Sequence, residues 1–365
     1  MQEQFRLIAD DLQRIRVGIK GNPFVVDELK SGSLLPEEGC DRFNLSFQLA
    51  ENTIKWEVIF DRNEPNLPPD VVFGPDDEDF CPDLNKLKGY YDWDYTSETC
   101  LSDMLSSLFG HYVHHQRHGI STLPVLSEQW KELCETSNYT AKCETYHSTN
   151  GFGTHNASAS FLFEFIIDTS RLPPYLIKEN LGEDSAALHI SFQPPNFSKI
   201  TPQLYLSPRL RNAVGGSSSL RLPHYGSSDL KSYIEKIDVL LASTVRDISE
   251  RFERRKILVA KILSEFHGAV IEYDASGFKE ISLLLSHCNI FFILYVVLGD
   301  RFPESPPVLV VQSTYHMSDK GPYRQTYKEY PYSPRWDSIE IVEAIRKFLN
   351  RMIPEFKKES FRIGL

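Results

Sequence analysis

The stretch Phe302-Pro303-Glu304-Ser305-Pro306-Pro307, which leads into the apolar run Val308 to Val311, is the most informative part of this 365-residue chain. Because proline has no amide hydrogen, we expect Pro306 and Pro307 to border a sheet edge. Two apolar runs precede this stretch, Phe278 to Leu285 and Asn289 to Leu298, and both are typical of antiparallel strands. The last third of the chain is therefore expected to contain an antiparallel meander.

Two segments with helical periodicity flank this meander in the sequence. Residues 249–267 repeat apolar side chains at helical spacing, and Gly268 is placed to end that helix. Residues 338–351 carry a second apolar stripe, which includes Ile341, Ile345 and Phe348. A sheet covered by helices is therefore predicted for this part of the chain.

The same order of elements occurs near the N-terminus. Arg42 to Leu49 and Thr53 to Phe60 alternate apolar and polar residues, which predicts a hairpin that turns at Asn52. The segment Pro65-Asn66-Leu67-Pro68-Pro69 follows and is predicted to lead into an edge strand at Val71 to Phe73. Three helices complete this copy, one through Phe5, Ile8, Leu12 and Ile15, and two near 98–117 and 122–136.

The middle of the chain offers a weaker copy. Strand patterns occur at Phe161 to Ile167, Ala187 to Phe192 and Gln203 to Leu206, and a helix is predicted at 229–248. We interpret this stretch as a degenerate third repeat, with a plain linker domain as the alternative. The prediction is an α+β fold of three domains, which span residues 1–147, 148–248 and 249–365.

Composition narrows the classes of function. The formal net charge of −11 argues against nucleic acid as a partner, because neutralising phosphates needs surplus Lys and Arg. The longest apolar run, Ile290 to Leu298, is too short for a membrane span of about 20 residues. The N-terminus shows no leader pattern, so we expect a protein of the cytoplasm and nucleus, with its six cysteines reduced.

The repeated order resembles the ubiquitin-conjugating fold, whose hallmark is an aromatic-Pro-x-x-x-Pro-Pro segment after the meander. Residues 302–307 match that pattern fully, and residues 65–69 match it in part. From about residue 30 to near the C-terminus the chain resembles the BRE family. The segments that carry this resemblance are Asp41-Arg42-Phe43, Lys55-Trp56, Leu67-Pro68-Pro69-Asp70, Leu204-Tyr205-Leu206-Ser207-Pro208-Arg209, Val270-Ile271-Glu272-Tyr273-Asp274 and Tyr330-Pro331-Tyr332-Ser333-Pro334-Arg335-Trp336-Asp337.

The resemblance implies tandem ubiquitin-conjugating-enzyme variant (UEV/RWD-like) domains without conjugating activity. It implies a scaffold subunit of a lysine-63-specific JAMM deubiquitinase complex, with cytoplasmic BRISC-type and nuclear DNA-damage forms. The implied partners are the JAMM zinc protease, its inactive MPN-type (Abraxas-like) companion and a von Willebrand A-like subunit, and ubiquitin is a further candidate. The implied processes are DNA repair, the cell cycle, mitosis and apoptosis.

The cysteines argue against an enzyme. Conjugation needs a thiolate to carry ubiquitin, about 20 residues after the second Pro in active members of the fold, and an Asn donor for the oxyanion. Here Cys81 lies 12 residues and Cys100 lies 31 residues after Pro69, and the chain has no His-Pro-Asn. Cys100 is expected to open a helix with Leu101 on its inner face. An active enzyme using Cys100 and a stand-alone ubiquitin- or peptide-binding adaptor remain the alternatives.

No metal or cofactor site is predicted. The cluster His111, His114, His115 and His118 has helical spacing that zinc could use, but a solvated polar face is the preferred interpretation. The loop from Gly215 to Ser219 lacks the Gly-Lys ending of a phosphate-binding loop and is interpreted as a surface loop.

The candidate partner-binding residues lie in the last domain. Aromatic rings crowd the segment from Tyr323 to Trp336, which is predicted to be a loop, and such rings are favoured at protein interfaces. The alternative, which the sequence favours equally, is that these rings cover one face of the sheet. The predicted set is Phe302, Pro306, Pro307, Tyr330, Tyr332 and Trp336.

Overall fold

The computed structural model of the chain describes residues 24–32, 40–61, 63–64, 66–77, 79–136, 138–148, 156–177, 184–216, 220–226, 229–319 and 321–363. These residues divide into two compact units. The first unit draws on Met1–Ile166, Ser185–Leu206 and Arg221–Asp238. The second unit draws on Ile167–Asp184, Ser207–Leu220 and Val239–Leu365.

The first unit begins with a four-stranded antiparallel sheet in the order of the chain. Its strands are β1 (Phe24–Lys30), β2 (Arg42–Leu49), β3 (Asn52–Ile59) and β4 (Asp70–Val72). Apolar and polar residues alternate along β2, so every second side chain points to the same face of the sheet. Phe43, Leu45 and Phe47 lie on the buried face and are at most 2% exposed. Trp56 lies opposite Leu45 in the register and packs on the same face.

Two helices follow, α1 (Cys100–Thr122) and α2 (Ser127–Thr136). Helix α1 buries a stripe at helical spacing, which includes Leu101, Met104, Leu105 and Leu108, against the core of the first sheet. This confirms the inner face that the sequence predicts.

A second four-stranded antiparallel sheet belongs to the same unit. It consists of β5 (Cys143–Ser148), β6 (Ser158–Ile166), β7 (Ser185–Gln193) and β8 (Lys199–Leu206). Strand β7 alternates buried and half-buried residues along its whole length, which is the pattern of a strand with one face in the core.

The C-terminal elements form a five-stranded antiparallel sheet in the order β13-β12-β11-β10-β9. Its strands are β9 (Val270–Tyr273), β10 (Glu280–His287), β11 (Ile290–Val297), β12 (Val308–Ser318) and β13 (Gly321–Tyr327). The remaining helices are α3 (Pro208–Val214), α4 (Leu230–Glu265) and α5 (Ser338–Ile363). Leu258 and Ile262 of α4 and Ile345 and Phe348 of α5 share one core with this sheet.

The α+β class predicted from the sequence is confirmed, whereas the helix boundary predicted near residue 248 needs correction. The two helices predicted at 229–248 and 249–267 form the single 36-residue helix α4. No Gly or Pro interrupts residues 230–265, so the domain boundary predicted at 248/249 has no local breaker. The three-domain division and its UEV-like character stay predictions.

The aromatic segment is also not wholly a loop. Its first part forms β13, which pairs with β12 through Leu309 and Tyr327, so β12 is an inner strand and not the edge expected beside Pro307. At the first Pro-Pro segment the edge prediction is correct, because β4 ends its sheet. The helix predicted through Phe5 and Ile15 lies outside the described residues. Of the helices in the described part of the chain, none combines the length and apolar composition that a bilayer crossing requires.

Candidate functional site

The Pro-rich stretch at residues 302–307 lies against the core of the second unit. Phe302 is 2% exposed and belongs to that core, and Pro307 is buried directly before β12. Pro306 is half-buried. Because Pro307 precedes the first residue of β12, its missing amide hydrogen costs no ladder hydrogen bond. We call residues 302–307, which include buried Phe302 and Pro307, the Pro-rich floor.

Two tyrosines tie the aromatic segment to this floor. The Tyr330 hydroxyl donates to the Pro307 carbonyl oxygen at 2.8 Å, and the Tyr332 hydroxyl donates to the Pro303 carbonyl oxygen at 2.5 Å. Both rings are half-buried against the core. Burial raises the pKa of Tyr330 and raises the pKa of Tyr332 to about 12, so both phenols stay protonated donors near neutral pH.

The start of α5 fixes the position of Trp336. The Asp337 carboxylate accepts the Glu340 amide hydrogen at 2.8 Å, and the Glu340 carboxylate accepts the Asp337 amide hydrogen at 2.9 Å. This reciprocal capping box satisfies amide groups that a helix start otherwise leaves unpaired. Trp336, one residue before the cap, is thereby held half-buried, and its ring lies edge-on to Tyr332 at 6.1 Å.

A groove of about 360 Å³ opens beside Trp336. Pro331 and Trp336 form one wall, and one face of α5 forms the other. The α5 residues that line the groove are Glu340, Glu343, Ala344, Lys347, Phe348 and Arg351. We call this the Trp336 groove. Of the six predicted partner-binding residues, Trp336 lines it. Tyr330 and Tyr332 tie its segment to the Pro-rich stretch, to which Phe302, Pro306 and Pro307 belong.

The charged wall of the Trp336 groove is missing from the sequence prediction. The carboxylate of Glu343 lies 3.7 Å from the Lys347 ammonium, and the Arg351 guanidinium lies 5.9 Å from the centre of the Phe348 ring. All three charged side chains are exposed. Their spacing of four residues places them on one helical face. The polar positions beside the apolar stripe of α5 are the only feature of the sequence that could have indicated this wall.

The predicted cysteines occupy two different environments. Cys100 is the first residue of α1 and is 6% exposed within the core of the first sheet. Cys81 is exposed. A thioester-forming cysteine must be reached by ubiquitin's C-terminus and must have a placed oxyanion donor. Burial of Cys100 removes the first of these conditions in the folded chain.

A buried polar chain crosses the first unit beside α1. The His147 ring donates through Nδ1 to the Gln116 amide oxygen at 2.7 Å, and Gln116 donates through Nε2 to the Tyr112 hydroxyl oxygen at 3.1 Å. The Tyr112 hydroxyl donates to the buried carboxylate of Asp77 at 2.6 Å. This directionality follows from the His147 backbone amide, which also donates to the same Gln116 oxygen. This series of hydrogen bonds connects the acidic turn at residues 75–77 to α1.

The four histidines of α1 differ in exposure. His114 and His118 are exposed, whereas His111 and His115 are half-buried. His111 pairs through Nδ1 with the Ser107 carbonyl oxygen at 2.9 Å, and the His115 ring lies 5.3 Å from that of Phe80. Among the described residues, no three His, Cys, Asp or Glu side chains come together in an arrangement that could hold a metal ion.

Comparison with known proteins gives one consistent answer. The family model described as "Brain and reproductive organ-expressed protein (BRE)" matches residues 5–317. A protein of Danio rerio named "BRISC and BRCA1-A complex member 2" is 35% identical over 98% of this chain and 95% of its own length. A protein of Branchiostoma floridae with the same name is 34% identical over 96% of this chain and 93% of its own length. The chain therefore belongs to the BRE family.

Proposed function

We propose that this chain is a non-catalytic scaffold subunit of a BRISC- or BRCA1-A-type complex. The observation that carries the proposal is the end-to-end similarity to two relatives named as members of those complexes, at 34–35% identity. This similarity extends over 96–98% of the chain and is not confined to one motif. In this proposal the protease activity of the complex, specific for lysine-63-linked ubiquitin, belongs to a JAMM-type zinc subunit.

The surroundings of the cysteines support a role without catalysis. Cys100 is buried in the core, and the chain has no His-Pro-Asn to stabilise an oxyanion. The neighbouring Asp83 of Cys81-Pro82-Asp83 accepts a hydrogen bond from the Asn85 amide, and an ionised carboxylate cannot donate one. Ubiquitin conjugation by this chain is therefore not part of the proposal.

A scaffold acts through its surfaces, and the Trp336 groove is our candidate contact in the last predicted domain. It combines a half-buried tryptophan with charges of both signs on α5. Large rings next to arginine are typical of residues that dominate binding energy. The partners we propose are the JAMM protease, its inactive MPN-type companion and a von Willebrand A-like subunit, in cytoplasm and nucleus.

Capture of the tagged full chain from cells, followed by mass spectrometry, tests this proposal. We expect all three partner types in comparable amounts. A parallel arm charges the purified chain with activating enzyme, ATP and ubiquitin, and we expect no adduct that reducing agent removes. A reducible adduct that disappears in Cys100→Ser would instead establish the conjugating enzyme. Capture of ubiquitin alone, with none of the three partners, would favour a stand-alone adaptor.

A further inference from the structure

We propose that a second groove, in the first unit beside Pro69 and Cys81, binds a basic peptide segment of a partner protein through one bulky apolar side chain. We call it the Cys81 groove. All residues that line it belong to the first unit. The inference goes beyond the proposed function and does not rest on it, because it depends only on the shape and charge of this groove.

The floor of the Cys81 groove is apolar and belongs to the core. Phe80, Leu87, Met104 and Leu108 line it and are between 0% and 5% exposed. The groove holds about 270 Å³. Pockets for whole small-molecule ligands usually measure roughly 300–1,000 Å³, so this volume fits one large side chain better than a cofactor. A single apolar anchor in a desolvated pocket is the usual centre of a peptide-binding site.

The segment that carries Leu87 and Tyr90 of the groove wall packs closely against α1. Gly89 has a φ of +81° and approaches α1 so closely that a Cβ atom would lie 2.7 Å from the Met104 backbone nitrogen. The neighbouring Lys88 amide donates to the Ser107 hydroxyl at 3.1 Å, and the Gly89 amide donates to the Asp92 carboxylate at 2.6 Å. A groove whose walls are already in place loses little conformational entropy when it binds a ligand.

The charge of the rim identifies the kind of peptide. Asp70 lines the groove and is exposed, and Asp79 and Asp83 each adjoin lining residues in the chain. Lys86 pairs with Asp83 at 3.2 Å, which leaves the carboxylates in excess. Residues 70–98 carry nine carboxylates and two lysines, so most of the chain's net charge of −11 is concentrated in this segment. Complementarity therefore favours lysine or arginine on both sides of the apolar anchor.

The probe for this site is a synthetic heptapeptide with one central phenylalanine between two pairs of lysines. Two matched peptides replace the phenylalanine by alanine or the lysines by glutamate. Fluorescence anisotropy with the full chain should show saturable binding of the probe. We expect at least tenfold weaker binding of each matched peptide, and weaker binding of the probe at 0.5 M salt than at 0.05 M.

Two exposed positions on the groove allow variants that spare the core. Asp70→Lys and Leu84→Asp should each weaken probe binding at least fivefold. Glu64→Lys and Leu67→Ala are controls, because both residues are exposed and neither lines the groove. Melting curves of all four variants should match that of the parent protein, which separates a binding effect from unfolding.

Cys81 gives an independent readout. It is exposed, lines the groove and has exposed Cys40 and Cys134 as internal standards. The probe should slow alkylation of Cys81 by a thiol reagent while the standards react unchanged. Equal binding of the alanine peptide, unaltered binding by Asp70→Lys, or unprotected Cys81 would overturn the proposal. It would also be overturned if Cys81 reacts much more slowly than Cys40 without peptide and the probe does not bind, because another part of the chain would then cover the groove.

Discussion

The hydroxyl of Tyr332 donates a hydrogen bond to the carbonyl oxygen of Pro303 at 2.5 Å, which joins the aromatic segment to the Pro-rich stretch 29 residues earlier. The Tyr332 ring also packs on the core of the second unit. We predict that Tyr332→Phe lowers the free energy of unfolding by about 1 kcal/mol, the usual net value of one hydrogen bond. Tyr332→Ala also removes the ring contacts and should cost roughly 3 kcal/mol. Urea denaturation measures both, and a Tyr332→Phe midpoint equal to the parent's would contradict this role.

Trp336 differs from Tyr332, because it lines the open Trp336 groove. We predict that Trp336→Ala reduces partner capture at least tenfold, since truncating a binding anchor typically costs about 2 kcal/mol or more. Capture from cells and a melting curve should be measured together. Tyr315→Ala is the matched control, since Tyr315 is 58% exposed and does not line the groove. Full retention of every partner by Trp336→Ala would remove the groove from the proposed interface.

Two glycines on α1 should respond in opposite directions to alanine. A Cβ atom on Gly119 would lie 1.9 Å from the His147 ring, whereas a Cβ atom on Gly110 would meet nothing within 4 Å. Alanine in a helix is otherwise more stable than glycine by about 0.5–1 kcal/mol. We therefore predict that Gly110→Ala raises the free energy of unfolding by that amount. Gly119→Ala should lower it by roughly 1–3 kcal/mol through overpacking.

Thermal and urea melts of the two variants provide the comparison. Because both substitutions lie on one helix, differences in helix propensity cancel. Stabilisation by both alanines would mean that the His147 ring yields freely, and that the buried polar chain through Gln116 does not hold it.

Acidification should destabilise the first unit through His147. Burial, with a smaller contribution from the His115 charge, lowers the pKa of His147 to about 4. An unfolded histidine titrates near 6.5, so between about pH 6.5 and 4 the unfolded state binds more protons than the folded state. Stability should fall as the pH falls through this window, by at most about 3 kcal/mol from this residue.

Urea midpoints at pH 7 and pH 5 measure this effect. His147→Asn keeps an amide donor near the position of Nδ1 but does not titrate, so its stability should change less between the two pH values. His114→Asn is the control, because it makes the same substitution at an exposed position of α1. The same slope for His147→Asn and the parent would refute the assignment.

The sequence predicts elements well where alternation is strong and one face is buried. The strand predicted at Arg42 to Leu49 is β2, and the helix start predicted at 338 is the start of α5. In both places local chemistry agrees with tertiary burial: β2 alternates buried Phe43, Leu45 and Phe47 with polar residues, and Asp337 caps α5.

Elements were missed where this agreement fails. Strand β5, Cys143–Ser148, is mostly polar, and β13, Gly321–Tyr327, is an edge strand with exposed Arg324 and Thr326. They form strands because they pair with β6 and β12, and the local sequence pattern does not predict this pairing. For the same reason the sequence indicates the aromatic segment but not the α5 wall of the Trp336 groove, and it gives no sign that Cys81 borders an apolar groove.

We propose that this chain supports a deubiquitinase and does not perform the chemistry itself. The most direct measurement compares cleavage of lysine-63-linked and lysine-48-linked ubiquitin chains by two samples: the complex captured on the tagged chain, and the chain purified alone. We predict that the captured complex cleaves only the lysine-63 linkage and loses this activity with a zinc chelator, and that the chain alone cleaves neither linkage. Cleavage by the chain alone, or a captured sample without chelator-sensitive lysine-63 activity, would contradict the proposed scaffold role.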